Sequence, residues 1–226
     1  MIEIFHNPRW FFGLDAIFEF VSLLASVLLS FYSWKVYKLT KKDSYKIMSI
    51  AFIFMSSSFA IRIAANVIIH FLIGRIPQLV SAAEATRSLI NINIILQLGV
   101  FFYRFTFLLG VLLLLLLTLK IKNRVIFILF IMFVFFLTYF STYAYFIYYL
   151  ISSAILFFIF SYFLKNYEKR RSKTSYLVAV SFLFIFLSQL VFIFLKIHQA
   201  VYGVAKILQL IGFLLLLINY ITILRK

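Results

Sequence analysis

The stretch GLDAIFEFVSLLASVLLSFYSW, Gly13 to Trp34, decides how this chain is read. Nearly every residue in it suits lipid, and a bilayer is crossed by a helix of about 20 mostly apolar residues. Yet it carries Asp15 and Glu19, two of only six acidic residues in the chain. An ionised carboxylate facing lipid costs roughly 3 kcal/mol on insertion scales, so these two must face something else. Their spacing says what. Asp15, Glu19, Ser22, Ser26, Ser30 and Ser33 follow at alternating steps of three and four residues, which keeps all six on one helical face. The other faces are Phe, Leu, Ile and Val. The segment reads as a transmembrane helix with a polar stripe turned toward protein.

The rest of the chain has the same character. Its 226 residues are 65% apolar and 12% charged, where soluble domains are about a quarter charged. Apolar runs such as Val111 to Thr118 and Val125 to Phe140 leave no region for a soluble domain. The expected fold is an all-α integral membrane protein, one domain over residues 1–226. With no cysteine, disulfides, thiol catalysis and cysteine-ligated metal are excluded. MIEIFHNPRW lacks a basic leader and a small-residue cleavage site, so no removable signal peptide is expected.

Seven transmembrane helices are predicted, at 11–36, 45–72, 92–119, 125–141, 143–165, 175–197 and 203–223. The turn between the fourth and fifth falls near FSTYAY, Phe140 to Tyr145. Basic residues then sort by side. Lys35, Lys38, Lys41, Lys42 and Lys46 flank the first connection, and Lys120, Lys122 and Arg124 the third. Lys165, Lys169, Arg170, Arg171 and Lys173 flank the fifth, and Arg225 and Lys226 end the chain. Arg9, Arg75, Arg87, Lys196 and Lys206 fall on the other side. The positive-inside rule places the N-terminus outside and the C-terminus in the cytoplasm of a multi-pass cell-membrane protein. The net charge of +16 is therefore a topology signal with anionic-lipid contact at the cytoplasmic loops, and not a nucleic-acid footprint.

An internal duplication is expected. ILQLGVFF, Ile95 to Phe102, recurs as ILQLIGFL, Ile207 to Leu214, and YKLTKKDSY, Tyr37 to Tyr45, resembles YEKRRSKTSY, Tyr167 to Tyr176. Helices one to three (about 11–119) then repeat as five to seven (about 143–223) in the same orientation, with the fourth (about 125–141) as linker: a parallel 3+1+3 arrangement in which Gln97 overlies Gln209. That architecture resembles the SWEET and PQ-loop transporter family, also seven helices with an outside N-terminus. The resemblance implies small-solute transport. It carries no functional residue across. The family's Pro–Gln pair belongs in the first helix of each repeat, whereas Pro77 and Gln78 fall after helix two, and Pro8 and Pro77 both lie outside the spans.

The partners of the two acids are sought at matching depth, counting about 1.5 Å per residue. Helix two offers Arg62, helix three Gln97 and Arg104, helix six Gln189 and helix seven Gln209. One buried polar cluster in the outer half is expected: Asp15, Glu19, Arg62, Gln97, Arg104, Gln189 and Gln209, with two acids balanced by two guanidiniums. It reads as a structural ion pair, a ligand or ion pocket open to the outside, or a proton relay. Lys206 reads as a snorkelling side chain near the outer end of helix seven. Ser56 to Ser58 read as packing residues, and the tyrosines of Tyr139 to Tyr149 as an aromatic belt. His6, His70 and His198 show no metal-ligand spacing, and no metal or cofactor is expected. The loop Gly74 to Asn91, helical over Ala82 to Leu89, is expected to cap the outer mouth with Glu84 and Arg87 exposed.

No nucleophile, base and metal can be assembled, so no enzyme is expected. The expected function is a non-enzymatic membrane module that receives a ligand or docks other membrane-protein subunits. The alternative is a small-solute transporter.

Overall fold

The computed structural model describes residues 14–75, 82–121, 123–142, 144–195 and 199–224. His6, Pro77, Gln78 and His198 lie outside the described residues, as do the side chains of His70, Glu84 and Arg87.

The described chain is helical throughout: α1 Leu14–Thr40, α2 Asp43–Arg75, α3 Ala82–Leu119, α4 Arg124–Ser141, α5 Tyr145–Arg170, α6 Lys173–Ile193 and α7 Gln199–Leu224. Six of these are long and apolar enough to cross a membrane; α4, with an apolar stretch of Val125–Ser141, is the shorter one. The largest departure from expectation lies between α2 and α3. Ala82 to Leu89 does not form a separate cap. It is the start of α3, which continues unbroken to Leu119. No glycine or proline stands between Ala82 and Leu98, so nothing stops the helix there. The helices α2 and α3 run for about 50 and 57 Å at 1.5 Å per residue, well past a hydrocarbon core of about 30 Å.

Short links fix the packing order. The links α1–α2 and α5–α6 each begin with a basic residue in the left-handed conformation, Lys41 (φ 56°) and Arg171 (φ 46°). Each closes the preceding helix by donating its backbone N–H to a carbonyl four residues back, Lys41 to Tyr37 at 2.8 Å and Arg171 to Tyr167 at 2.7 Å. Ser172 then caps α6 by accepting from the Ser175 N–H at 3.2 Å. Two-residue links force antiparallel neighbours, and α1 packs on α2, α5 on α6.

Six helices close a ring in the order α1, α2, α3, α5, α6, α7, with α7 returning to α1. The shorter α4 lies outside it, against α3 and α5. The core is built around α3, whose residues Phe107 to Leu116 are buried on every face. Outward faces are apolar and exposed, as Phe31, Phe133 and Phe158 show. That pattern suits a lipid surround.

Two glycines set the closest approaches. A Cβ at Gly110 of α3 would lie 2.7 Å from the Ala51 carbonyl oxygen and 2.7 Å from Met55 Cγ on α2. A Cβ at Gly212 of α7 would lie 3.0 Å from the Ser181 carbonyl oxygen and 2.5 Å from Ile185 Cγ1 on α6. Laid on each other by these contacts, α3 and α7 bring Arg104 onto Lys206. The two glycines stand 102 positions apart and the two ILQL segments 112, so the two features do not share one register.

Candidate functional site: a buried ion cluster beside a polar cavity

The polar stripe of α1 is buried along its whole length, from Asp15 and Glu19 through Ser22, Ser26 and Ser30 to Ser33. Its serines are satisfied locally or by α2 and α7. Ser26 and Ser33 donate to carbonyls of their own helix, Ser30 bonds Ser49, and Ser33 bonds Tyr220. These small side chains let neighbouring helices approach. The acids are different, because a buried charge demands an opposite one.

Two cations meet them. Lys206 of α7 donates to Glu19 Oε1 at 2.7 Å and lies 3.3 Å from Asp15 Oδ1. Arg62 of α2 places its Nε 2.6 Å from the same Glu19 oxygen, although that N–H is not aimed along the line. Its Nη2 donates to the Tyr202 hydroxyl at 2.7 Å. Tyr202 also hydrogen-bonds Asp15. Two acids and two bases thus balance at the junction of α1, α2 and α7. The second oxygen of Glu19, Oε2, has no hydrogen-bond partner among the described residues.

This changes the expected cast. Lys206 does not snorkel to the surface: it is 2% exposed, between both carboxylates. The predicted helix began at residue 203, but α7 begins at Gln199, one turn earlier, so Lys206 sits deeper. Arg104 is not the second balancing guanidinium. Its Nη1 donates to the carbonyl and hydroxyl of Ser141, the last residue of α4. Its guanidinium lies 5.3 Å from the Tyr148 ring centre and 5.9 Å from that of Tyr103. A cation at a helix C-terminus is favoured by the helix dipole.

Beside the cluster, between α2, α3 and the α5–α7 helices, lies a cavity of about 20 Å³. Arg62, Gln189, Gln209, Tyr103, Tyr148 and Tyr149 line it, with Ser58 and three phenylalanines. Gln189 accepts from Ser152 Oγ at 3.1 Å, which leaves its amide nitrogen as a donor. Among the described residues no carboxylate lines this space. Gln97 is half-buried and is not on the lining. Of the seven expected residues, Asp15, Glu19 and Arg62 form the ion cluster. Gln189 and Gln209 join Arg62 at the cavity. Arg104 stands behind its tyrosines, and Gln97 is elsewhere.

The residues missed were Lys206 and four aromatics. Tyr148 and Tyr149 are buried and line the cavity, and do not belong to an outer belt; Tyr103 lines it with them, and Tyr202 holds the ion cluster. A signal was present for α7: Tyr202, Lys206 and Gln209 sit at steps of four and three, the same one-face spacing as the stripe of α1. Ser56, Ser57 and Ser58 donate to carbonyls of their own helix, as packing residues do. Among the described residues no group of three His, Asp or Glu side chains could hold a metal.

Compared with known proteins, the chain matches no protein-family model, no curated protein and no solved structure. The likeness to SWEET and PQ-loop transporters therefore stays one of helix number and order.

Proposed function

We propose that the chain is a non-enzymatic, multi-pass protein of the cell membrane that receives a small polar ligand in the cavity between two equivalent three-helix units. The observation that carries the reading is where the polar groups lie. Glu19 and Lys206 join α1 to α7, and the cavity is shared by α2 and α3 with α5, α6 and α7. Both therefore lie between α1–α3 and α5–α7.

The case for two units is a constant shift. Lys41 and Arg171 stand 130 positions apart, as do the helix starts Asp43 and Lys173 and the carbonyls of Tyr37 and Tyr167 that the links bond. The buried faces follow: Ser22 and Ser152, Leu29 and Ile159, Phe52 and Phe182, Met55 and Ile185, Ser58 and Ser188. Gly110 and Gly212, 102 positions apart, then meet equivalent atoms. The smaller shift reflects the longer α2 and α3 of the first unit. On this reading α4 is a seventh span, and the parallel course of α3 and α5 supports it. The basic links place the start of α1 outside and the end of α7 in the cytoplasm, with anionic headgroups at those links. Other membrane-protein subunits would meet the apolar outer faces.

Polar sites at the interface between repeats are also where secondary transporters bind. The equivalence of the two halves thus favours a second reading, small-solute transport. One experiment addresses both. Purified full-length protein is melted against inorganic anions, amino acids and monosaccharides, and any stabilising solute is then tested for flux in proteoliposomes. A saturable rise in Tm, lost in Gln209→Leu, supports the ligand reading, and flux of that solute would extend it to transport. A Tm insensitive to every solute would sink both.

A further inference from the structure

Three basic side chains and two acidic ones lie in the described interior: the partly buried Arg62 with the buried Arg104 and Lys206, against Asp15 and Glu19. Every one except Arg104 takes part in an ion pair; among the described residues no carboxylate pairs with Arg104. Among the described residues its compensation comes from neutral groups: the end of α4, where the helix dipole supplies about half a negative charge, the Tyr103 hydroxyl, and the rings of Tyr103 and Tyr148. The interior therefore holds one cation in excess, in surroundings where an unbalanced charge is costly. The two rings over which Arg104 lies, Tyr103 and Tyr148, also line the cavity, with Arg62 on the same wall.

The lining offers a guanidinium, three phenols and two amides, with no carboxylate among the described residues. Such a donor-rich wall suits an anion and repels no part of it. Size narrows the class. A cavity needs roughly 10–15 Å³ to hold one water-sized particle, and this one has about 20 Å³. It has room for one small ion.

From this geometry we infer that the cavity is a site for a single halide-sized monovalent anion, chloride being the available one, which offsets the excess charge of Arg104 behind the cavity's tyrosines. This inference rests on the reading of the cavity as a ligand site and names its chemistry.

The test uses detergent-solubilised full-length protein melted at rising sodium chloride or bromide, with ionic strength held constant by sodium gluconate. Sulfate serves as the oversized anion. The expected result is a saturable rise in Tm with chloride and bromide and none with sulfate. Arg104→Gln should weaken the apparent halide affinity tenfold or more, and Arg104→Lys should keep most of it. Should Arg104→Gln not fold, Tyr149→Phe, which removes one cavity hydroxyl and no charge, should weaken it several-fold. Bromide should also give an anomalous scattering peak inside the cavity in crystals. Equal melting in chloride and gluconate overturns the inference, as does a halide response that survives both Arg104→Gln and Tyr149→Phe. A Tm response to an organic solute without one to halide overturns the anion while leaving the ligand reading standing; no response to either overturns both.

Discussion

Glu19 shows how a single residue organises its surroundings. One of its oxygens receives Arg62 and Lys206, so two helices are tied to α1 through one atom. Charge arithmetic makes the arrangement testable. Glu19→Gln leaves two cations against Asp15, and Lys206→Met leaves two acids against Arg62. Each change strands a buried charge and should destabilise by about 3–5 kcal/mol. The double variant keeps Asp15 with Arg62, one of each sign. It should therefore be less destabilised than the two singles added, by about 1–3 kcal/mol of coupling. Melting the parent, both singles and the double measures this; strict additivity would show that the two side chains do not act as a pair. The sequence allowed three of the four charged members of this cluster to be read. The spacing of Asp15 and Glu19 with the α1 serines turned them inward, and Arg62 was found by depth. Lys206 was lost because its depth was counted from a helix end placed one turn late. Arg104 was misassigned because its partner is a backbone carbonyl at the end of α4, and a main-chain acceptor leaves no mark in the residue types of a sequence.

At the scale of the helix, the argument passes to Gly110 and Gly212. Apolar periodicity locates helices but says little about how two of them register, because every turn of an Ile- and Leu-rich helix looks like the next. The tetrapeptide ILQL and the two glycines give different registers for that reason. Arg104 and Lys206 are each followed by a glycine six residues on. Those glycines mark where backbones touch. A methyl group at Gly110 would press first on a backbone oxygen, 2.7 Å away, which cannot turn aside. At Gly212 the nearest atom is Ile185 Cγ1, a side-chain atom that can shift, and the backbone oxygen is at 3.0 Å. Both alanine substitutions should destabilise, by about 1–3 kcal/mol, with Gly110→Ala the more severe. Thermal melts of the two variants check the order; if Gly110→Ala melts like the parent, α2 and α3 do not pack at this contact.

The whole molecule poses the question of orientation. The basic links at one end of the bundle were legible from the sequence, since lysines and arginines between apolar runs need no structure to be counted. The two long helices were not, because the stretch before residue 92 is polar enough to pass for a loop while containing nothing that ends a helix. The consequence is asymmetry. The α1–α2 and α5–α6 links are two residues each, whereas α2 and α3 are the two longest helices and extend on the side where α1 begins. Which side of the membrane that is follows from the basic residues alone, and the absence of cysteine makes it directly measurable. Ser44→Cys, in the α1–α2 link next to Lys41 and Lys42, should react with a membrane-impermeant maleimide only after the cells are opened. Ser81→Cys, between α2 and α3, should react in intact cells. Labelling of Ser44→Cys from outside would invert the molecule. The projecting ends of α2 and α3 would then enter the cytoplasm, the cavity and its ion cluster would lie in the inner half of the membrane, and any ligand would have to arrive from within the cell.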